Sequence, residues 1–281
     1  MAKKVVTTIN GKLVSDSQAK ISVYDNSLLY AEGLFETYMS VGNQIAFSKE
    51  HFERLQKGAG LLGIKIPIES KVLLKWLSAT AGKHPAKLKR LRLTITSGDS
   101  PVWRDKPGKS RVIISAVEHK FDLSPQKLYV PEFRVDGDSS FNHIKTIAYG
   151  LRAAALRQAQ KNNCEDALLL NNAEKVTELT SANIFWVKSG KIYTPPISAG
   201  CLEGVTRRIV LEEDKKYNWG IEEKNCTLQE LSTADEVFST SSVRLSRPIG
   251  EIKSGLASGK YKQGEIWRKI FDHLCGLLDI Q

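Results

Sequence analysis

Apolar and polar residues alternate with a period of two in several short stretches of the chain and with a period near 3.6 in fewer, longer ones. VVTTI from Val5, KLVS from Lys12, FETYMSV from Phe35 and QIAFS from Gln44 read as strands, joined into hairpins by turns at Asn10-Gly11 and Gly42-Asn43. Phe52, Leu55, Ala59 and Leu62 fall on one helical face and predict a helix near 49–62; a second is expected near 68–81. RLRLTITS from Arg90 and RVIISAV from Arg111 add two strands. In the first of them Leu91, Leu93 and Ile95 share one face, and Arg90, Arg92 and Thr94 the other.

HKFDLSPQK, polar and holding Pro125, predicts a boundary near 119–130. It divides a small α/β domain, 1–120, from a larger domain, 131–281, with an interdomain linker at 121–130. The second part predicts a strand near 128–135, a helix from near Ala148, and strands ALLLNN, KVTEL, NIFWVK and KIYTP with turns at Asn172 and Ser189-Gly190. Helices near 206–217 and 264–278 complete it. No internal repeat is present, and hairpins with few helices exclude the regular βαβ alternation of Rossmann and TIM folds.

The 281 residues are 41% hydrophobic and 26% charged, a globular composition that excludes a disordered or fibrous chain. The net charge of +10 is densest in KHPAKLKRLR, but that run merges into a half-buried strand without interleaved aromatics, so it reads as a solvated face and not as a nucleic-acid surface. No apolar run is long enough to span a bilayer, and the start, MAKKVVTTINGK, has no apolar core after its lysines, so a cytoplasmic address is expected. Cys164, Cys201, Cys226 and Cys275 are scattered and read as reduced thiols, with neither a metal site nor a redox pair. No Walker loop, HExxH or GxSxG occurs, and no GxGxxG follows a strand.

Several segments put polar residues where chemistry is possible. In NHIKTIAYG, Lys145 lies between Ile144 and Ile147, at the end of an expected strand and ahead of a helix; a lysine among apolar neighbours forms a Schiff base readily, and the alternative is a surface group. Glu178, Thr180, Ser181 and Asn183 cluster at a turn, where a carboxylate is able to pair with a cofactor's ring nitrogen or is simply an exposed acid. Gly204, Val205 and Thr206 open a helix with Thr206 at the N-cap, which is either a phosphate seat or an ordinary cap. Ser239 to Ser242 close a strand with small hydroxyls that hold phosphate oxygens or form a turn. Arg54, opposite the apolar stripe of the first helix, clamps a phosphate or is solvated.

In order and spacing these segments resemble the fold-type IV pyridoxal-phosphate enzymes (class IV aminotransferases), the family of branched-chain aminotransferases, D-amino-acid aminotransferases and 4-amino-4-deoxychorismate lyases. The similarity runs from INGKLVSDSQAKISVYDNSLLYAEGLFETYMSVGNQ through HFERL, the lysine segment, VTELTSANIF, GVTRR and FSTSS. It implies an α+β, two-domain fold like that of D-amino-acid aminotransferase, with a small α/β domain and a larger barrel-like one. It also implies pyridoxal 5'-phosphate as cofactor, with Lys145 as the catalytic residue that forms the Schiff base and later moves a proton. Glu178 would pair with the pyridine nitrogen, Tyr149 would lie near the ring's 3′-oxygen, and Arg54, the Val205 and Thr206 amides, the Thr206 hydroxyl and Ser242 would hold the phosphate. Thr180, Ser181, Asn183, Gly204 and Ser241 complete the implied cofactor cradle. A homodimer acting on small-molecule amino and 2-oxo acids, with no nucleic acid or membrane partner, is implied as well.

The substrate pattern departs from each well-known branch. Phe35-Glu36-Thr37-Tyr38-Met39 stands where branched-chain enzymes read FEGIR, and the FET triplet is more like the lyases and D-amino-acid enzymes. Val102 stands where D-amino-acid enzymes present a carboxylate-binding arginine, with Arg104 two residues on; Ala148 departs from KTLNY, and Glu32 replaces the usual aspartate. Arg92 is similar to a family arginine that reaches a substrate carboxylate; the alternative is a pairing with a protein acid. Tyr30, Phe35, Thr37, Arg92 and Arg104 form the expected substrate set, Phe35 and Thr37 sharing one strand face. The implied activity is transfer of an amino group between an amino acid and a 2-oxo acid; the alternative is 4-amino-4-deoxychorismate lyase chemistry, releasing pyruvate and 4-aminobenzoate. A catalytically silent binding protein fits less well, because Lys145 and Glu178 are both retained.

Overall fold

The computed structural model describes residues 4–102, 105–106, 108–255 and 257–280, and the chain packs as two compact units. The first holds the chain up to Phe121 together with Ile144–Ala148; the second holds Asp122–His143 and the chain from Tyr149 onward.

In the first unit β1 (Val5–Ile9) turns into β2 (Lys12–Val14) through Asn10 and Gly11, whose φ values of 49° and 77° are the left-handed pair that a two-residue hairpin needs. A single-turn helix, α1 (Asn26–Leu29), follows, capped by Asp25, which accepts the Ser27 N–H at 2.9 Å. Next come β3 (Gly33–Val41), β4 (Gln44–Ile45), α2 (Ser48–Leu62), α3 (Ser70–Gly82), β5 (Leu88–Thr96) and β6 (Val112–Glu118). The strands form one antiparallel sheet in the order β2-β1-β6-β5-β3-β4. The alternation read along β5 is realised: Leu91, Leu93 and Ile95 are fully buried against Leu55 and Ala59 of α2 and Leu73 and Leu77 of α3, whereas Arg90 is exposed.

The Lys145 segment does not end a strand of the second part, as expected from its sequence. It borders β3: the Phe35 N–H donates to the Lys145 carbonyl at 2.9 Å, the Ile147 N–H to the Gly33 carbonyl at 3.1 Å, and Leu34 bridges Thr146. Gly33 carries no side chain because a Cβ there would strike the Ile147 side chain and the Ile95 carbonyl.

The second unit contains β7 (Gln126–Tyr129), α4 (Gly150–Lys161), β8 (Asp166–Leu170), β9 (Val176–Leu179), β10 (Asn183–Lys188), β11 (Lys191–Thr194), α5 (Val205–Tyr217), β12 (Ile221–Glu223), α6 (Leu228–Ser232), β13 (Glu236–Ser241), β14 (Leu245–Lys253), β15 (Gly259–Lys260) and α7 (Ile266–Leu277). Strands β10-β13-β14-β7-β8-β9 pair in sequence and β9 returns to β10 through Glu178 and Asn183, closing a barrel. Side chains such as Leu128, Leu168, Val176, Ile184, Val237 and Ile249 fill one contiguous core. The β10–β11 hairpin turns on Ser189 and Gly190, with φ of 50° and 76°.

Three expectations are corrected here. The stretch expected as a linker at 121–130 contains a barrel strand, β7, and the strand expected to reach residue 135 ends at Tyr129. The fourth helix starts at Gly150, not Ala148. Gly204, with extended backbone, takes the N-cap of α5, so Thr206 is the second residue inside the helix. Among the described residues no helix is long and apolar enough to cross a membrane.

Candidate active site

The first unit gathers Lys145, Phe35 and Arg92. Arg92 of β5 stands opposite Thr37 of β3, and its Cζ lies 3.8 Å from the Phe35 ring centroid; the Lys145 Nζ lies 4.7 Å from the same ring. Two cations drawn to one aromatic ring form a concentrated positive field suited to anions. Phe35 is buried, while Lys145, Arg92 and Thr37 are half-buried and reachable.

Behind them lies a buried ionic cluster. Glu36 alternates with Phe35 on β3, so its carboxylate points toward α2. There Oε1 accepts from Arg54 Nε at 2.8 Å, and Oε2 accepts from Arg54 Nη2 at 2.5 Å and from His51 Nδ1 at 2.7 Å. Burial by itself would raise this carboxyl; the Arg54 guanidinium, with His51, overturns that and holds it down at about 2. Burial pushes His51 below its ordinary value despite the attraction of Glu36. Arg54 is therefore not on the outer face opposite the apolar stripe: it is 8% exposed, beside buried Leu55, and paired with Glu36.

A second ion pair fixes two loops of this unit. Arg111 donates to Asp25 at 2.6 Å and grips Asp99 with Nη1 at 2.8 Å and Nη2 at 2.6 Å. Tyr30 closes α1 within a run of exposed apolar groups, Ile21, Val23, Tyr24, Leu28 and Leu29. Arg104 lies outside the described residues.

In the second unit Glu178 is no exposed acid on a turn. It is the last residue but one of β9, is 3% exposed, and its Oε1 accepts from Arg152 Nη2 at 2.6 Å and the Leu202 N–H at 3.1 Å. Thr180 donates its hydroxyl to the buried Asp166 at 2.5 Å, and Ser181 is exposed. Asn183 donates to the Leu202 carbonyl at 2.8 Å, and its side-chain oxygen occupies the space a Cβ on Gly204 would need. The glycine thus lets the Asn183 amide close against the start of α5. Val205 and Thr206 are buried in the first turn of α5, and the Thr206 hydroxyl has no hydrogen-bond partner among the described residues. First-turn N–H groups have no partner within a helix, so this end of α5 offers donors and positive potential. Ser241 and Ser242 sit half-buried where β13 turns into β14, the Ser241 hydroxyl accepting from the Arg244 N–H at 3.3 Å. Tyr149 caps α4, 5.5 Å from the Arg152 guanidinium.

Glu36, His51, Arg111 and Arg152 carry much of this geometry, and sequence reasoning assigned none of them a role. Each works through a partner at least 12 residues away, for which no local spacing gives a signal; one available hint was that Glu36 is the single charged residue of its strand.

The model of the amino-transferase class IV family matches residues 33–252. A putative branched-chain-amino-acid aminotransferase of Methanocaldococcus jannaschii is 31% identical, over 93% of this chain and 92% of its own. The aminodeoxychorismate lyase of Bacillus subtilis is 28% identical, over 90% and 89% respectively. Among solved structures, the branched-chain aminotransferase of Thermoproteus uzoniensis superposes with a TM-score of 0.89 at 26% identity, covering 97% of this chain and 94% of that one. The chain belongs to the class IV aminotransferase family.

Proposed function

We propose that this protein transfers amino groups between an amino acid and a 2-oxo acid with pyridoxal 5'-phosphate attached through Lys145. The observation that carries this reading is the half-satisfied carboxylate of Glu178: Oε1 is saturated by Arg152 and the Leu202 N–H, and no described donor meets Oε2. A buried acid with one open oxygen suits a protonated ring nitrogen. The buried, unpartnered Thr206 hydroxyl at a helix start suits a phosphate, so the residues present fit the cofactor.

When bound, pyridoxal phosphate supplies an aldehyde that captures amines and a ring that accepts the electron pair released at the substrate α-carbon. In the second unit, Glu178 holds the proton at the ring nitrogen, Tyr149 serves the 3′-oxygen, and Val205, Thr206 and Ser242 hold the phosphate, with Thr180, Ser181, Asn183, Gly204 and Ser241 shaping the cradle. In the first unit Arg54, fixed by Glu36, adds charge for the phosphate, and the Lys145 amine moves the proton during transfer. Arg92 binds a substrate carboxylate, with Phe35, Thr37 and Tyr30 lining its path. The exposed apolar run from Ile21 to Tyr30 fits a second copy of this chain, giving a homodimer.

The visible spectrum of the cofactor-loaded protein, recorded with D-alanine, D-glutamate, L-leucine and L-glutamate added separately, tests the reaction. Conversion to the pyridoxamine form by one enantiomeric series is expected. The FET triplet and the 28% identical lyase favour a second reading; it prevails if none of the donors changes the spectrum and aminodeoxychorismate releases pyruvate.

A further inference from the structure

We propose that Arg152 is a positioning residue for the cofactor: by pinning Oε1 of Glu178, it presents Oε2 as the open acceptor for the ring nitrogen. This inference rests on the reading of Glu178 given above. Arg152 rises from the first turn of α4 and reaches the end of β9 with its whole fork. Nη2 holds the Glu178 carboxylate at 2.6 Å, and Nη1 lies 3.3 Å from the Leu179 carbonyl and 3.4 Å from the Thr180 carbonyl. One guanidinium thus fixes both the side chain of Glu178 and the backbone just after it. The Leu202 N–H converges on the same Oε1 at 3.1 Å, so rotation of the carboxylate would break two bonds at once.

The pairing also has an electrostatic effect. Burial opposes the charge on Arg152, and the Glu178 carboxylate, followed by Tyr149, outweighs it. A ring nitrogen at Oε2 therefore faces a neutral pair with one fixed acceptor, and not a bare buried anion. Without the guanidinium the buried carboxylate loses both its cation and its anchor, and Oε2 is no longer held toward the ring nitrogen. Among the described residues, Tyr149 of α4, Asp166 of β8 and Cys201 also lie around the pair; burial and the Glu178 charge push the Cys201 thiol up to about 12, so it does not titrate near neutrality. A lysine at 152 would keep the charge but lose the fork.

The test strips the full-length protein of cofactor and measures, at neutral pH, pyridoxal phosphate binding by tryptophan quenching and the position of the bound cofactor's visible absorbance band, for the wild type, R152M, R152K, E178Q and R152M/E178Q. R152M is expected to bind at least about tenfold more weakly, with a displaced absorbance band. R152K should bind with intermediate affinity and a band between the two. The double variant should bind no worse than E178Q alone, because Arg152 acts through Glu178. Urea unfolding of the apoproteins checks folding, and R152Q replaces R152M if the latter does not fold. An affinity and absorbance band for R152M that match the wild type, or losses that add in the double variant, would overturn the proposal. A wild-type protein that fails to bind pyridoxal phosphate would instead refute the cofactor reading, and this inference with it.

Discussion

Replacing Glu36 by Gln probes the charge that organises the first unit. The carboxylate is 1% exposed and accepts three hydrogen bonds, two from Arg54 and one from His51. The fall of its pKa from the ordinary 4.5 to about 2 corresponds to about 3 kcal/mol of preferential binding of the charged form. Because the folded value lies below the unfolded one, that stabilisation is complete above pH 4.5 and is lost as the pH falls toward 2. Glutamine removes it at every pH and takes from Arg54 the negative charge that faces it, for which a cost of about 3 kcal/mol at neutral pH is expected. Urea unfolding followed by circular dichroism at pH 7, 4.5 and 3 reads both effects. The variant should be less stable at pH 7 and should lack that part of the wild type's loss below pH 4.5. A variant within about 1 kcal/mol of the wild type at pH 7, with an unchanged acid slope, would refute the reasoning.

Other outcomes follow from the same geometry. T206V removes a buried hydroxyl that has no protein partner, so the apoprotein should be as stable as the wild type or slightly more so, while pyridoxal phosphate binds about tenfold more weakly in equilibrium titration. L28E places a charge in the exposed apolar run and should shift sedimentation from dimer toward monomer; an unchanged mass would remove this face from the interface. K145A loses the cation beside the Phe35 ring but keeps the backbone bonds of its segment, so it should fold with only a small drop in urea midpoint, yet show no covalent attachment of the cofactor.

Local chemistry was legible in the sequence wherever one residue or one period decides the outcome. Asn10-Gly11 and Ser189-Gly190 form the predicted turns, each with a glycine at the second left-handed position, and β5 buries the leucines its alternation assigned. What escaped depends on contacts between distant parts of the chain. Lys145 joins the first unit through backbone bonds to Phe35 and Gly33, more than a hundred residues earlier, and nothing in NHIKTIAYG encodes that pairing. Residues 126–129, polar and near a proline, are a strand because β14 and β8 flank them in parallel. Helix α1 has one turn, held by the Asp25 cap and not by an apolar face, so periodicity is silent there. Thr206 looked like a cap by residue type, but the tight fit of Asn183 against Gly204 gives the cap to the glycine. Arg54 was legible as a phosphate clamp or a solvated group, but its pairing with Glu36, on a separate element, leaves no local signal.

The most direct test of the central claim is to load the protein with pyridoxal phosphate, reduce it with borohydride and map the modified residue by peptide mass spectrometry. One phosphopyridoxyl group on Lys145 is expected, absent from K145A. Modification of another lysine, or a protein that takes up no label, would contradict the account.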